Sequence, residues 1–194
     1  MLRALATLLL DGGGFFASGY AARMAKRHLY TVGYEGLSVG DFLDLLRGAG
    51  VEVLADVRDN PFSRKAGFSK KPLTEAVTAA GIEYQSWRSL GAPKPIRDRI
   101  KADNDWRAYT AGYFEHLEAE HAEVARLTAL AEARTVCLVC YEADANRRAG
   151  GTLHAPSARP ARRHRRYVAD AVQAAGGPLP MHLKAAGPQA ALPL

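Results

Sequence analysis

The sequence predicts a single α/β domain with a mainly parallel sheet flanked by helices. Short β-prone runs alternate with amphipathic helical segments along the chain, which is the pattern of βαβ units. The length of 194 residues suits one domain with a proper core. Apolar residues make up 48% of the chain and charged residues 24%, the balance of an ordinary globular protein.

The first half of the chain carries three predicted strands and two predicted helices. In order these are a strand at 28–33, a helix with Phe42, Leu43, Leu45 and Leu46 on its apolar face, a strand at 51–57, a helix at about 73–80 and a short strand at 82–87. Glycines mark where both helices end: Gly48 and Gly50 after the first, and Gly81 after the second. A long polar loop follows the second strand.

The second half begins with a break and then becomes helical. Two prolines and a glycine in residues 90–95 exclude regular structure there. Residues 105–133 are rich in helix formers, and residues 135–141 (TVCLVCY) are the most β-prone run, which predicts a central strand. A helix over RHRRYVADAVQAAGG and a short strand at 181–183 complete the predicted fold.

The predicted domain occupies residues 24–184. Residues 1–23 resemble a weak secretory signal but lack a convincing cleavage site, so we interpret them as disordered or as a mis-assigned start, with Met24 as the initiator. The composition of residues 145–163 predicts a flexible arginine-rich insertion, and that of residues 185–194 predicts a disordered tail.

The formal charge of +6 is concentrated in one segment. Seven arginines and no acidic residue lie between positions 146 and 166, and 19 basic and 20 acidic residues remain without them. The chain is therefore a nearly neutral domain with one basic segment. That segment, rather than the overall charge, is the feature that could contact nucleic acid.

The two cysteines, Cys137 and Cys140, predict neither a disulfide framework nor a zinc site. Residues three apart in a strand point to opposite faces, so the two thiols cannot share a tetrahedral ion. We interpret both as buried structural cysteines in a reducing cytoplasm. No metal and no cofactor is expected. No membrane partner is expected either, because no apolar run approaches the length of about 20 residues that a membrane helix needs.

Polar side chains follow three of the predicted strands. Tyr34 and Glu35 come after the first strand, Asp56 and Arg58 end the second, and Glu142 follows the central one. The carboxyl ends of parallel strands meet at one edge of the sheet, where ligands bind in α/β proteins. The pattern predicts a site at this edge, although Asp56 could instead hold Arg58 or cap the next turn.

Several of these segments together resemble the bacterial DUF488 family, a domain of unknown function. The resemblance rests on YTVGYEG, ADVRDNPFSRKAGFSK, YQSWRSLG, CLVCYEAD and HRRYVADAV, which occur in the family's order, and it covers about residues 28–183. It implies one α/β domain with a polar site around these motifs and no settled reaction.

One motif departs from the family pattern. In most family members, Cys-His-Arg comes within a few residues after the glutamate motif and opens the next helix. Here about twenty residues follow Glu142, and the helix opens with Arg163, His164 and Arg165. The cysteine is absent, and neither existing cysteine replaces it by position.

The resemblance and the strand-end pattern together give the candidate site residues. The candidate catalytic residues are Glu35, Asp56, Glu142 and His164, and the candidate substrate-binding residues are Tyr34, Arg58, Ser63, Phe68 and Arg165. Arg58, Ser63 and Arg165 suit a phosphate, whereas Tyr34 and Phe68 suit stacking on a ring. For His164 and Arg165 a solvated basic run remains an equal alternative.

Two functions fit these residues. The first is an enzyme that acts on a phosphate-bearing substrate, nucleotide or nucleic-acid related, at the strand ends. The second is a non-catalytic module that binds nucleic acid or an acidic partner through the arginine-rich segment. Loss of an ancestral activity through the insertion is a third possibility. No P-loop, Ser-His-Asp order or dinucleotide fingerprint is present, which disfavours triphosphate hydrolysis and NAD chemistry.

Overall fold

The computed structural model describes residues 27–141 and 164–184, and these contain five strands and six α-helices. The strands are β1 (Leu29–Gly33), β2 (Val53–Asp56), β3 (Glu83–Ser86), β4 (Val136–Cys140) and β5 (Pro180–His182). The helices are α1 (Val39–Gly48), α2 (Lys70–Ala79), α3 (Lys94–Asp103), α4 (Trp106–Ala119), α5 (His121–Ala133) and α6 (His164–Ala174). A short 3₁₀ helix, Arg88–Leu90, precedes α3.

The five strands form one parallel sheet in the order β3-β2-β4-β1-β5. This confirms the predicted α/β fold and the central position of β4. All five residues of β4 are buried, and Leu138 lies between Thr31 of β1 and Ala55 of β2. A strand covered on both faces needs apolar residues throughout, which explains the continuous run VCLVC.

Side chains alternate between the two faces of the sheet and build two separate cores. In β4, Val136 and Leu138 enter the larger core, and Cys137 and Val139 enter the smaller one. Helices α3 to α6 cover the larger core, and α1 and α2 cover the smaller one. The two groups of helices thus lie on opposite faces.

Local sequence signals explain where two of the helices begin. Ser38 precedes α1, and its hydroxyl accepts a hydrogen bond from the Asp41 backbone N–H at 3.1 Å. The Asp41 carboxylate in turn accepts from the Ser38 backbone and hydroxyl, which completes a capping box. Asp105 caps α4 by accepting from the backbone N–H groups of Arg107 and Ala108.

The prediction that residues 90–95 exclude regular structure was wrong. Helix α3 begins at Lys94, with Pro95 in its first turn. A proline is tolerated there because the first N–H groups of a helix have no intrahelical acceptor. The helix-rich region 105–133 contains two helices, separated at Glu120, and α2 starts at Lys70, earlier than predicted.

The predictions for residues 1–23, 145–163 and 185–194 fall outside the described residues. Within the described ranges, every helix is too short or too polar to cross a membrane.

Gly91 holds the loop after β2 close to the 3₁₀ helix. A Cβ atom at this position would lie 2.2 Å from the Asp59 backbone nitrogen, so alanine requires the backbone to shift. We expect Gly91→Ala to lower the free energy of unfolding by about 1–3 kcal/mol. Urea denaturation measures the change.

The matched control for Gly91 is Gly48 at the end of α1, where a Cβ would meet no atom within 4 Å. Gly48→Ala should leave stability unchanged or raise it by up to about 1 kcal/mol, because alanine favours helix. Equal effects at the two glycines would contradict the close approach of Gly91 to Asp59.

Candidate functional site

The chain changes direction across the sheet at β4, and this opens a crevice at the strand ends. The connections after β1 and β2 lead to α1 and α2 on the smaller-core face. The connection after β4 leads to α6 on the larger-core face. In the sheet, β4 lies between β2 and β1. At its carboxyl end, the connections of neighbouring strands therefore leave toward opposite faces of the sheet. Ligands usually bind at such a point in α/β sheets.

A cavity of about 530 Å³ occupies this position. It lies within the size range of small-molecule sites. Its walls come from the ends of β1, β2 and β4, the loop after β2, and helices α3 and α4. The lining residues are Tyr34, Arg58, Asp59, Asn60, Phe62, Ser63, Arg64, Lys65, Ala92, Arg97, Tyr109, Cys140 and Tyr141.

Asp56 and Arg58 form a buried ion pair at the base of this cavity. The Asp56 carboxylate accepts from Arg58 Nε at 2.7 Å and from Nη2 at 2.5 Å. It also accepts from the Arg58 backbone N–H at 3.1 Å and from Tyr84 Oη at 2.7 Å. Both carboxylate oxygens are therefore engaged, and Asp56 is fully buried. Asp56 thus holds Arg58 in place, which is the second of the two roles that the sequence allows for it.

Burial and the contacts with Asp56 shift the pKa values of Arg58 and Tyr84. Burial acts to lower the pKa of Arg58, but the hydrogen bonds and charge of Asp56 outweigh it, so the pKa rises above its ordinary value. Burial raises the pKa of the Tyr84 phenol, and the charge of Asp56 raises it further. Arg58 is therefore a permanent cation in the cavity wall, and Tyr84 is a permanent donor to Asp56.

Tyr34 and Phe68 stack on each other. Their ring centroids are 4.3 Å apart with the planes within 9° of parallel, and both side chains are buried. Phe68 does not line the cavity, and its backbone carbonyl accepts from Arg58 Nη1 at 2.8 Å. The two aromatic rings predicted to stack on a ligand thus stack on one another in the structure.

The loop after β2 supplies most of the cavity's polar lining. Ser63 fixes its shape, because the Ser63 backbone N–H donates to Ser69 Oγ and the Ser63 carbonyl accepts from the same hydroxyl, both at 3.0 Å. Ser63 Oγ also accepts from the Lys65 backbone N–H at 3.1 Å. Arg64 is exposed, and the Lys65 ammonium lies 5.6 Å from the centre of the Phe68 ring.

Arg97 contributes a cation that the sequence did not predict. It projects from α3, pairs with Asp59 at 2.5 Å and donates to the Ala92 carbonyl at 2.9 Å. The stretch before it was interpreted as a break because of its prolines. Pro95 was in fact a signal for a helix start, which would have placed Arg97 one turn into α3.

The other predicted residues lie away from the cavity or outside the described part. Glu35 does not line it, and its backbone N–H donates to the Tyr141 carbonyl at 2.7 Å. Arg165 is fully buried on α6 and does not line the cavity. His164 is the first residue of α6, and its side chain and Glu142 fall outside the described residues.

Both cysteines are buried, and they lie on opposite faces of β4 as predicted. Burial raises the pKa of the Cys137 thiol well above its ordinary value, consistent with a structural residue. Cys140 instead lines the cavity, a position that the sequence did not predict. Across the described residues, no three His, Cys, Asp or Glu side chains group closely enough to hold a metal ion.

A family model for "Domain of unknown function DUF488" matches residues 38–155, which is more than half of the chain. The chain belongs to the DUF488 family. The resemblance drawn from the strand-end motifs is thereby confirmed. Searches of curated proteins and of solved structures found no significant match.

Proposed function

We propose that this DUF488 protein binds a phosphate-bearing ligand, nucleotide or nucleic-acid related, in the cavity at the strand ends, and acts on it as an enzyme. The observation that carries the proposal is the charge of the cavity wall. Among the described residues, four cationic side chains, Arg58, Arg64, Lys65 and Arg97, line it with a single carboxylate, Asp59.

Two of these positive charges are not compensated by a neighbouring carboxylate. Asp56 pairs with Arg58, and Asp59 pairs with Arg97. Within residues 27–141 and 164–184, Arg64 and Lys65 form no ion pair. Two uncompensated cations match the charge of a phosphate monoester, about −2 near neutral pH. Arginine and lysine are also the side chains that bind phosphate best.

Aromatic side chains at the cavity favour a ligand with a planar ring. Phe62 is 68% exposed and Tyr141 is 44% exposed, and both line the cavity. Large apolar side chains are usually buried, so exposed rings beside cationic groups suggest stacking on a base. Such stacking contributes about 1–3 kcal/mol per base. A nucleoside monophosphate combines the ring and the anion that these residues would recognise.

Catalysis in this proposal is assigned to Glu142 and His164, two of the candidate catalytic residues predicted from the sequence. Glu142 follows the cavity residue Tyr141 directly in the chain, and His164 opens α6. A carboxylate and an imidazole are the usual pair for proton transfer near neutral pH. Asp56 is less suited to that role because its oxygens already accept four hydrogen bonds.

Thermal unfolding of the full chain with AMP, ribose 5-phosphate, inorganic phosphate and adenosine tests the binding step. A ligand at a hundred times its Kd stabilises the fold by about 2.7 kcal/mol. For a protein of this size that corresponds to a rise in Tm of about 5–10 °C. We expect AMP to give the largest rise and adenosine a small one, since adenosine lacks the anion.

The double variant Arg64→Ala/Lys65→Ala should weaken AMP binding about tenfold to a hundredfold, because each removed cation loses a charge-assisted contact. Calorimetric titration measures the Kd. Lys70→Ala/Lys71→Ala is the matched control, because it removes the same charge from exposed positions of α2 outside the cavity. Equal weakening by both variants would indicate a general charge effect and contradict the proposed site.

Short DNA and RNA distinguish this proposal from binding through the arginine-rich segment. If only these polymers bind, at low salt and equally well to both double variants, the cavity is not the binding surface. Steep salt dependence is the mark of such phosphate-backbone binding.

A further inference from the structure

Among the described residues, the Tyr34 hydroxyl has a partner for its oxygen but none for its hydrogen. Tyr34 follows β1 and is 2% exposed, and its Oη accepts a hydrogen bond from Arg58 Nη1 at 3.0 Å. A guanidinium has donors only, so the hydroxyl is the acceptor in this contact. Its own hydrogen must therefore find another partner.

No other described group bonds to the Tyr34 hydroxyl. In residues 27–141 and 164–184, the contact with Arg58 is the single hydrogen bond that involves Tyr34 Oη. A buried donor without an acceptor is unfavourable, and native structures usually satisfy such groups with water or a ligand. Tyr34 lines the cavity, so the cavity is where that acceptor can lie.

Arg58 directs its own donors at groups of the protein. Those on Nε and Nη2 bond to Asp56, and those on Nη1 bond to Tyr34 Oη and the Phe68 carbonyl. The guanidinium also interacts with the Tyr84 hydroxyl. Arg58 therefore offers the cavity a positive charge, and the Tyr34 hydroxyl beside it offers the donor.

The Tyr34 hydroxyl and the Arg58 charge beside it are held rigidly before any ligand binds. The Tyr34 ring is fixed by its stack on Phe68 at 4.3 Å, and the Arg58 guanidinium is fixed by Asp56. The bond from Arg58 also polarises the Tyr34 hydroxyl, which strengthens it as a donor. Donors fixed in place lose little conformational entropy on binding, unlike the exposed side chain of Arg64.

We propose that Tyr34 Oη donates to the phosphate group of the ligand in the cavity, beside the positive charge of Arg58. Tyr34 is then a direct ligand contact through its hydroxyl, not through its ring face. Arg64 and Lys65 supply charge from the loop, and Tyr34 and Arg58 set where the phosphate sits. This inference rests on the proposed function, since it assigns the anchoring contact in the same site.

The test is Tyr34→Phe, which keeps the ring against Phe68 and removes only the hydroxyl. Loss of a hydrogen bond to a charged group should raise the Kd for AMP about tenfold or more. Tyr84→Phe is the matched control, because it also removes one hydroxyl from the Asp56 network but lines no part of the cavity. Its Kd for AMP should stay within about twofold of wild type.

The outcomes separate the inference from the proposed function. If Tyr34→Phe binds AMP as wild type does, while Arg64→Ala/Lys65→Ala still weakens binding, the inference fails and the proposed function stands. Equal weakening by the Tyr34 and Tyr84 variants would show a merely structural role and also overturn the inference. Failure of the wild-type chain to bind AMP or inorganic phosphate would overturn both.

A second measurement does not depend on the folding of a variant. In a crystal structure of the wild-type chain with AMP, a phosphate oxygen should lie within about 3.2 Å of Tyr34 Oη. A phosphate bound in the cavity by Arg64 and Lys65 but beyond that distance would contradict the inference.

Discussion

Replacing Asp56 with alanine should lower the free energy of unfolding by about 3–5 kcal/mol. The substitution removes the partner of Arg58, a guanidinium that is 6% exposed, and leaves its charge in the protein interior. It also leaves Tyr84 Oη without the acceptor it has in the wild-type structure. Urea denaturation followed by circular dichroism measures the loss.

A double-mutant cycle identifies the ion pair as the cause. Asp56→Ala/Arg58→Met removes both charges, so its loss of stability should be smaller than the sum of the two single losses by more than about 1 kcal/mol. If the double variant loses as much stability as the two single variants together, the result contradicts the ion pair between Asp56 and Arg58. Asp98→Ala is the surface control, because that carboxylate pairs with two exposed lysines on α3, and we expect it to change stability little.

Leu138→Ala should lower the free energy of unfolding by about 2–5 kcal/mol. Leu138 is fully buried at the centre of β4, within the larger core. Its neighbours in the sheet are Thr31 and Ala55, so strands on both sides limit how far the structure can relax into the space left behind. The loss of stability therefore has two parts: the transfer free energy of the removed apolar atoms and the energy of the cavity that they leave.

Leu179→Ala is the control for this substitution. The Leu179 side chain is 71% exposed, next to β5, so the same chemical change should alter stability by less than about 0.5 kcal/mol. Both variants are compared by urea denaturation under the same conditions. A small loss for Leu138→Ala would contradict its position in a tightly packed central strand.

Much of the fold could be predicted because each signal was local. The apolar run of β4 and the alternation of strands and helices are properties of short segments, and they gave the parallel sheet and its central strand. The same approach failed at Pro95, because a proline breaks a helix interior but suits a first turn. Position within the helix, which the residue type alone does not give, decides between the two.

The location of the cavity followed from topology, whereas the contacts of its lining residues did not. Asp56 and Arg58 were correctly placed near the ends of the strands, but whether they face a ligand or each other depends on side-chain packing. Tyr34 and Phe68 were chosen as rings for a ligand, and the structure shows them stacked together. Pro95 indicated the helix that carries Arg97, but no local pattern indicated that this helix lies beside the cavity.

The order of the strands sets the smallest part of the chain that can fold as one unit. The stretch that matches the DUF488 model, residues 38–155, omits β1, which pairs with β4 on one side and β5 on the other. A fragment trimmed to that stretch would leave β4 as an open edge of five apolar residues, a surface prone to aggregation. It would also lack Tyr34. The evolutionary signature is therefore narrower than the physical domain, which has to extend from before Leu29 to β5.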